Sequence, residues 1–233
     1  MLATGFALIL GFIVFLAFAS YDESRSGAET EALTVAQQYE TAQFLPAAAS
    51  EELSGQLICY GRFVVHQEWP QMEEGNAGDS LNPWGIALFR GLYATQPEAA
   101  SEQAAYSKWL DQTSDREEAR QDRLHGAEGI IPWPIWLALV VMAGMIFVFM
   151  LFFADSGEWA VVQALQIGAV VAVIVITLLV IQLLNSPFHS GPGGLRPVAM
   201  ERTLRILEGE LAGVGAVGPA PCTATGDALD IQS

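Results

Sequence analysis

Apolar positions along this chain follow two patterns. Three stretches are apolar throughout, Met1–Ala19, Pro134–Phe153 and Trp159–Leu184. Elsewhere apolar residues return only every third or fourth position. The second and third stretches are joined by Ala154-Asp155-Ser156-Gly157-Glu158, a turn so short that the two runs must be antiparallel. A hydrocarbon core about 30 Å thick takes roughly 20 apolar residues at about 1.5 Å rise, and both runs meet that length. Neither has an interior Asp, Glu, Lys, Arg or His. Residues 132–153 and 159–184 therefore read as a transmembrane hairpin. Trp133, Trp136 and Trp159 mark its ends, at the depth where indoles prefer the headgroup zone.

Two readings compete for residues 1–20. Ala17-Phe18-Ala19 has the small-x-small form of a signal-cleavage site, but no basic residue precedes the apolar run, which favours a retained membrane helix. The helical phase continues without Pro or a turn cluster, so one long helix is expected to leave the bilayer. Its outer half, Glu29–Phe44, carries an apolar stripe at Val35, Tyr39 and Ala42 and stops before Pro46. A second helix is expected over Glu51–Trp69, capped by Ser50, with Leu53, Leu57, Tyr60 and Val64 inward and Pro70 closing it. Asn82 is placed to cap a third helix with Pro83 at its first position. A fourth runs from Glu98 to His125 with Tyr106, Trp109, Leu110, Thr113 and Leu124 inward. Residues 21–131 thus read as a helical bundle. Residues 185–211 read as a Pro/Gly surface turn and a short amphipathic helix from Val198. Residues 212–233 lack apolar periodicity and read as a disordered tail. The fold class is an all-α integral membrane protein: an N-terminal membrane helix, an extramembrane helical bundle and a C-terminal transmembrane hairpin.

Charge sharpens this division. The 233 residues carry a formal net charge of −16, yet mean hydropathy is positive, because acids concentrate in the bundle. Tyr21–Ile131 holds 19 Asp and Glu against 7 Lys and Arg. Such an acidic face excludes nucleic acid as a partner, since phosphate binding needs a positive field. Arginines near the membrane (Arg25, Arg116, Arg120, Arg123, Arg196, Arg202 and Arg205) all lie on the bundle side, and the Ala154–Glu158 turn has only Asp155 and Glu158. The positive-inside bias then puts bundle and C-terminus in the cytoplasm of a plasma-membrane protein.

No Gly-rich phosphate loop, Gly-x-Ser-x-Gly turn or nucleophile–base pair occurs, and His66, His125 and His189 lack ligand spacing. No enzyme activity, metal or cofactor is expected. Cys59 falls in a helix and Cys222 in the tail, so no structural disulfide is expected. Arg116, Arg120 and Arg123 share one helix face at i, i+4, i+7. Three readings stand for them: pairing along their own helix with Glu117 and Asp122, contact with anionic headgroups, or an anion-attracting vestibule. Glu68 beside Trp69 reads as a helix-end acid. Within the third membrane run Gln163, Gln166 and Gln182 are polar residues expected to seek a partner helix.

An ordered set of short signatures runs from Gly5 to Leu211. These are the acidic Glu29-Thr-Glu-Ala-Leu; Phe44-Leu-Pro46; Tyr60 followed by Glu68-Trp69-Pro70 and Met72; Ser114-Asp115-Arg116 with Arg123-Leu124; Pro134-x-Trp136; and Ser186-Pro187-Phe188 with Gly191. In this order around a membrane hairpin they resemble the bestrophin-like bacterial membrane-protein family, a domain of unknown function. The resemblance implies kinship with bestrophins, which are oligomeric anion channels with cytosolic helical domains. It makes Glu68, Trp69, Pro70, Met72, Arg116, Arg120, Arg123, Pro134, Trp136, Pro187, Phe188 and Gly191 the candidate functional positions. Family members commonly carry one more hydrophobic segment and a basic linker ahead of Gly5, and an Asp where this chain has Asn185. The function expected is a homo-oligomeric anion or small-solute channel. The alternative is a membrane-anchored interaction module whose acidic bundle recruits a soluble partner.

Overall fold

A computed structural model describes residues 2–76, 81–152, 159–214 and 220–229. Helix α1 runs unbroken over Leu2–Ala42. It is followed by α2 (Ala47–Phe63), a π-helical turn at Val64–Glu68 and α3 (Trp69–Glu73). Then come α4 (Pro83–Ala94), α5 (Ala100–His125), α6 (Trp133–Phe152), α7 (Ala160–Asn185) and α8 (Val198–Val214). The all-α class and the three long apolar helices hold. The connection between α6 and α7, including Ala154–Glu158, lies outside the described residues.

α1 is the spine. Its inner half packs on α6 and α7 through Phe6, Leu10, Ile13, Leu139, Ile146 and Ile181. Its outer half lies along α5, and the two backbones come so close at Gly27 that a Cβ there would strike the backbone of Ala119 and Arg123. The bundle core gathers Tyr39, Leu53, Leu57, Trp84, Trp109, Met200 and Phe188, among others. α8 lays Met200 and Leu204 on Gly61 of α2, where the missing side chain makes room, while Ile206 faces outward.

Local chemistry explains most helix ends. The Asn82 side chain accepts from the Trp84 N–H at 3.1 Å, with Pro83 in the first turn. Ser50 does not cap α2, which begins three residues earlier behind Pro46. Nor does Pro70 close the second helix. The Trp69 N–H bonds back to the Val64 carbonyl, the five-residue step of a π turn, and the chain continues helical to Glu73. Pro70 has no N–H to give and its ring crowds the preceding turn, so a widened turn just ahead of it relieves the clash. The wide turn also retards the helical phase, which lets two successive residues, Glu68 and Trp69, both point inward.

The C-terminal stretch departs from expectation. Cys59 and Cys222 form a disulfide, and residues 220–229 lie against the bundle rather than being disordered. Arg62 donates to the Thr223 carbonyl at 3.2 Å and pairs with Glu208 of α8 at 2.8 Å. The Trp84 indole N–H donates to the Gly226 carbonyl at 2.6 Å. Gly226 has φ +86° and touches the backbone of Phe63, a seat that a side chain would block. Three unlike attachments thus hold a segment that has no apolar periodicity to announce it.

Candidate functional site

α5 turns Arg116, Arg120 and Arg123 toward the bundle interior, in the phase its sequence spacing gives. What meets them comes from other helices. Arg123 is fully buried and donates from Nε and Nη2 to the Glu31 carboxylate of α1, from Nη2 also to Glu68, and from Nη1 to the Met72 sulfur at 3.3 Å. Its guanidinium lies 5.9 Å from the Trp69 ring centre. Arg120 reaches the other Glu68 oxygen with Nε and Nη2, at 3.3 and 2.9 Å. The Tyr60 hydroxyl donates to Glu31 at 2.5 Å. Arg116, 1% exposed, donates to Gln38 at 2.8 Å and to Glu117 at 3.0 Å, and stacks 4.9 Å over the Tyr60 ring.

Of the three readings of the arginine face, pairing along the helix describes Arg116 with Glu117. Arg120 and Arg123 instead cross to α1 and the π turn. Burial removes Arg116 and Arg123 from both headgroups and any open vestibule. Glu68 is no helix-end acid: it is 1% exposed and shared between two arginines. Leu110, expected inward, is exposed, and the polar Gln112 and Arg116 take the interior.

The electrostatics follow from burial. Desolvation works to lower the pKa of Arg123, but the Glu31 and Glu68 carboxylates outweigh it and the net shift is upward. Arg120 shows the same contest, burial against Glu68, with the same outcome. Tyr60 is pushed well above its ordinary value of 10.0, first by burial and then by the Glu31 charge. A tyrosine pKa raised by folding stabilises fully below the unfolded value, and the contribution is lost as pH rises past it. Tyr60→Phe is therefore expected to cost about 1.5–3 kcal/mol at neutral pH, the worth of a hydrogen bond to a charged group. The gap in thermal midpoint between it and wild type should narrow above pH 10. A gap that stays constant to pH 11 would refute this account.

The remaining candidate positions divide. Trp69 is buried, edge-on to Phe188 with ring centres 5.3 Å apart, and donates to the Leu195 carbonyl at 3.4 Å. Phe188 therefore ties the segment after α7 to the charge cluster. Pro187 is buried near Gly126. Pro70, on the outer face of α3, is exposed, as is Pro134 at the start of α6. Trp136 packs among the membrane helices, and Gly191 sits beside the His189 ring. Asn185 accepts from the Ile130 and Ile131 N–H groups at 3.1 and 2.9 Å, so a neutral amide can serve as acceptor where the family's charged residue would stand. Sequence spacing overlooked Glu31, Gln38 and the role of the Tyr60 hydroxyl. Among the described residues no group of acids, histidines or cysteines is arranged to hold a metal.

Three apolar spanning helices joined to a helical bundle through a continuous spine define an all-α integral membrane protein. The chain belongs to the bestrophin-like family: the Bestrophin-like domain matches residues 1–198. Its fold is that of a bacterial bestrophin homolog from Klebsiella pneumoniae, studied as crystal structures of several mutants. One has a TM-score of 0.70 at 16% identity, covering 89% of this chain and 85% of that one. Another gives 0.71 at 14% identity over 91% and 85%. A structure described only as a membrane protein gives 0.71 at 16% identity over 93% and 86%. No curated protein matches the chain.

Proposed function

We propose that this protein is a homo-oligomeric membrane channel for anions or small solutes, with its conducting path between protomers. The observation that carries this is how little α6 and α7 bury within one chain: Leu139 and Ile146 of α6, and Ile181 of α7, are their buried residues among those described. Gln166 and Gln182 face outward from α7. An exposed amide in lipid gains from a partner helix, and a second copy supplies one. Membership of the bestrophin-like family supports the channel class. The arginines of α5 are engaged by Glu31, Glu68, Gln38 and Glu117, so they serve as a clamp that fixes α1, α2 and α5, and ion selection must arise elsewhere.

Two measurements test this reading. Purified protein in native lipid should run as an oligomer, and in liposomes it should carry anion flux. A monomer without flux overturns the proposal. Gln166→Leu should lower the oligomeric fraction while leaving the bundle's unfolding free energy within about 0.5 kcal/mol of wild type, as for surface changes.

For orientation we propose a cytoplasmic bundle, on the strength of the arginine distribution. The Cys59–Cys222 bridge weighs against it, because disulfides persist mainly in oxidising compartments. Labelling of a Ser156→Cys variant by an impermeant reagent from outside the cell supports the cytoplasmic bundle. Protection reverses it.

A further inference from the structure

Burial rules out headgroup contact for Arg116 and Arg123, but a different set of arginines stands at the level of the headgroups. A cleft of about 700 Å³ opens between α1, the chain that leaves α7 and the start of α8. Arg25, Arg196 and Arg202 line it, and Glu29 is the acid among its lining residues. In a chain of net charge −16 this is a local reversal of sign. All three arginines are exposed. Arg25 spends its Nε on Glu29 at 3.1 Å, and Arg196 and Arg202 have no ion pair or hydrogen bond among the described residues. The walls that carry them are fixed to one another. The Tyr21 hydroxyl donates to the Gly193 carbonyl at 2.9 Å, Thr203 to the Ala32 carbonyl at 3.1 Å and the Trp69 indole to the Leu195 carbonyl at 3.4 Å. Three guanidinium groups from three segments are thus gathered before any ligand arrives, which lowers the cost of binding one.

We propose that this cleft binds the phosphodiester headgroup of an anionic phospholipid. Depth in the bilayer selects that ligand. The apolar run of α1 ends at Ala19, so Tyr21 and Arg25 stand about 3 and 9 Å beyond it along the helix axis. The headgroup layer is roughly 5–7 Å thick on each side of the core. Side chains on an α-helix tilt toward its N-terminus, which on α1 lies in the bilayer, so Arg25 leans back toward the headgroups. Gly193, tied to Tyr21, holds the chain leaving α7 at the same depth, and Arg196 follows it closely. Guanidinium forks match phosphate oxygens in charge and geometry. A zwitterionic headgroup brings a cation of its own, which the arginines repel, so the cleft sorts lipids by headgroup charge. Phe18, 54% exposed, shares a face of α1 with Tyr21 and Arg25 at i, i+3, i+7 spacing and offers the acyl chains an apolar track below the cleft. The site depends neither on the channel reading nor on orientation, since headgroups lie at both faces of a bilayer.

Full-length protein in detergent micelles is titrated with dioleoylphosphatidylglycerol or dioleoylphosphatidylcholine, and retention of each is read by native mass spectrometry. Glycerol 3-phosphate, the headgroup chemistry without chains, is the soluble competitor. Phosphatidylglycerol should be retained at least about fivefold better than phosphatidylcholine, as basic clusters at a membrane surface favour anionic lipid. Millimolar glycerol 3-phosphate should not displace it. Arg196→Gln with Arg202→Gln should bring the ratio below about twofold, with the loss of both charges. That variant should keep the wild-type circular dichroism and melting, because both side chains are exposed. Arg205→Gln, exposed on α8 but outside the cleft lining, should leave the ratio as it was. Equal retention of the two lipids overturns the proposal. So does an Arg205→Gln loss as large as that of the cleft variant, which would assign the preference to a diffuse surface field. Displacement by glycerol 3-phosphate overturns it in favour of a soluble phosphate ligand. A cleft variant that dissociates an oligomer and leaves the lipid ratio unchanged overturns it in favour of contact between copies.

Discussion

Arg123→Met destabilises the bundle by about 3–5 kcal/mol, the cost of removing one partner from a buried ion pair. The reason lies in what is left behind. Glu68 keeps Arg120, but Glu31 retains, among the described contacts, only the Tyr60 hydroxyl against its buried charge. A carboxylate stranded in that setting must take up a proton or draw in water, and either loosens the seam between α1 and α5. The comparison that isolates this cause is a variant in which both charges of the pair leave together, Glu31→Gln with Arg123→Met, which leaves Glu68 paired with Arg120. It should be less destabilised than the sum of its single changes, since no unpaired charge remains. Thermal unfolding in micelles followed by circular dichroism reads both. Arg90→Met, at an exposed position of α4, should stay within about 0.5 kcal/mol of wild type. If Arg123→Met melts with Arg90→Met, the cluster is not holding the bundle.

Loss of the disulfide is the second large effect. Cys59 and Cys222 are 163 residues apart in the sequence, so the bridge closes a long loop in the unfolded chain. Its removal by Cys222→Ser is expected to cost about 2–4 kcal/mol. The structural consequence is specific. Residues 220–229 keep only the Arg62 and Trp84 hydrogen bonds and should leave the bundle part of the time, wetting the Trp84 indole. Tryptophan emission should shift to the red, and a protease should clip the C-terminal segment faster. Cys59→Ser should behave alike, and a double serine variant should be no worse than either single one. Emission and cleavage identical to wild type in all three would show that the polar contacts suffice.

These two features also show what the sequence could convey. The spans were legible because lipid excludes charge, and a run of apolar residues needs no knowledge of its neighbours. The Asn82 cap was legible because cap and capped N–H are two residues apart. The arginine face of α5 was legible as a face, but its partners were not, since Glu31 is 92 residues away. A signal existed: Glu31 lies four residues before Val35 and seven before Gln38, in phase with the apolar stripe of α1. Glu68 likewise follows Tyr60 and Val64 on the inner face that runs from α2 into the π turn. An acid placed in register with an apolar stripe, on each of two helices, matches a third helix whose stripe carries arginines. The Cys59–Cys222 bridge left no comparable trace, because a covalent tie can hold a segment that has no apolar rhythm of its own. Pro70 misled for a different reason: a π turn upstream accommodates a proline that an ideal α-helix would not.

The unbroken run of α1 has a mechanical consequence. At about 1.5 Å per residue its 41 residues make a rod roughly 60 Å long, with no proline along it. One half is gripped by the membrane helices and the other is locked to α5 through Glu31. Any tilt imposed on the rod by the bilayer is delivered undiminished to the bundle, as a beam set in two walls transmits a bending load. The chain that leads into α6 and out of α7 is tied to the same frame, since Asn185 accepts from the Ile130 and Ile131 N–H groups and the Gly193 carbonyl accepts from the Tyr21 hydroxyl of α1 at 2.9 Å.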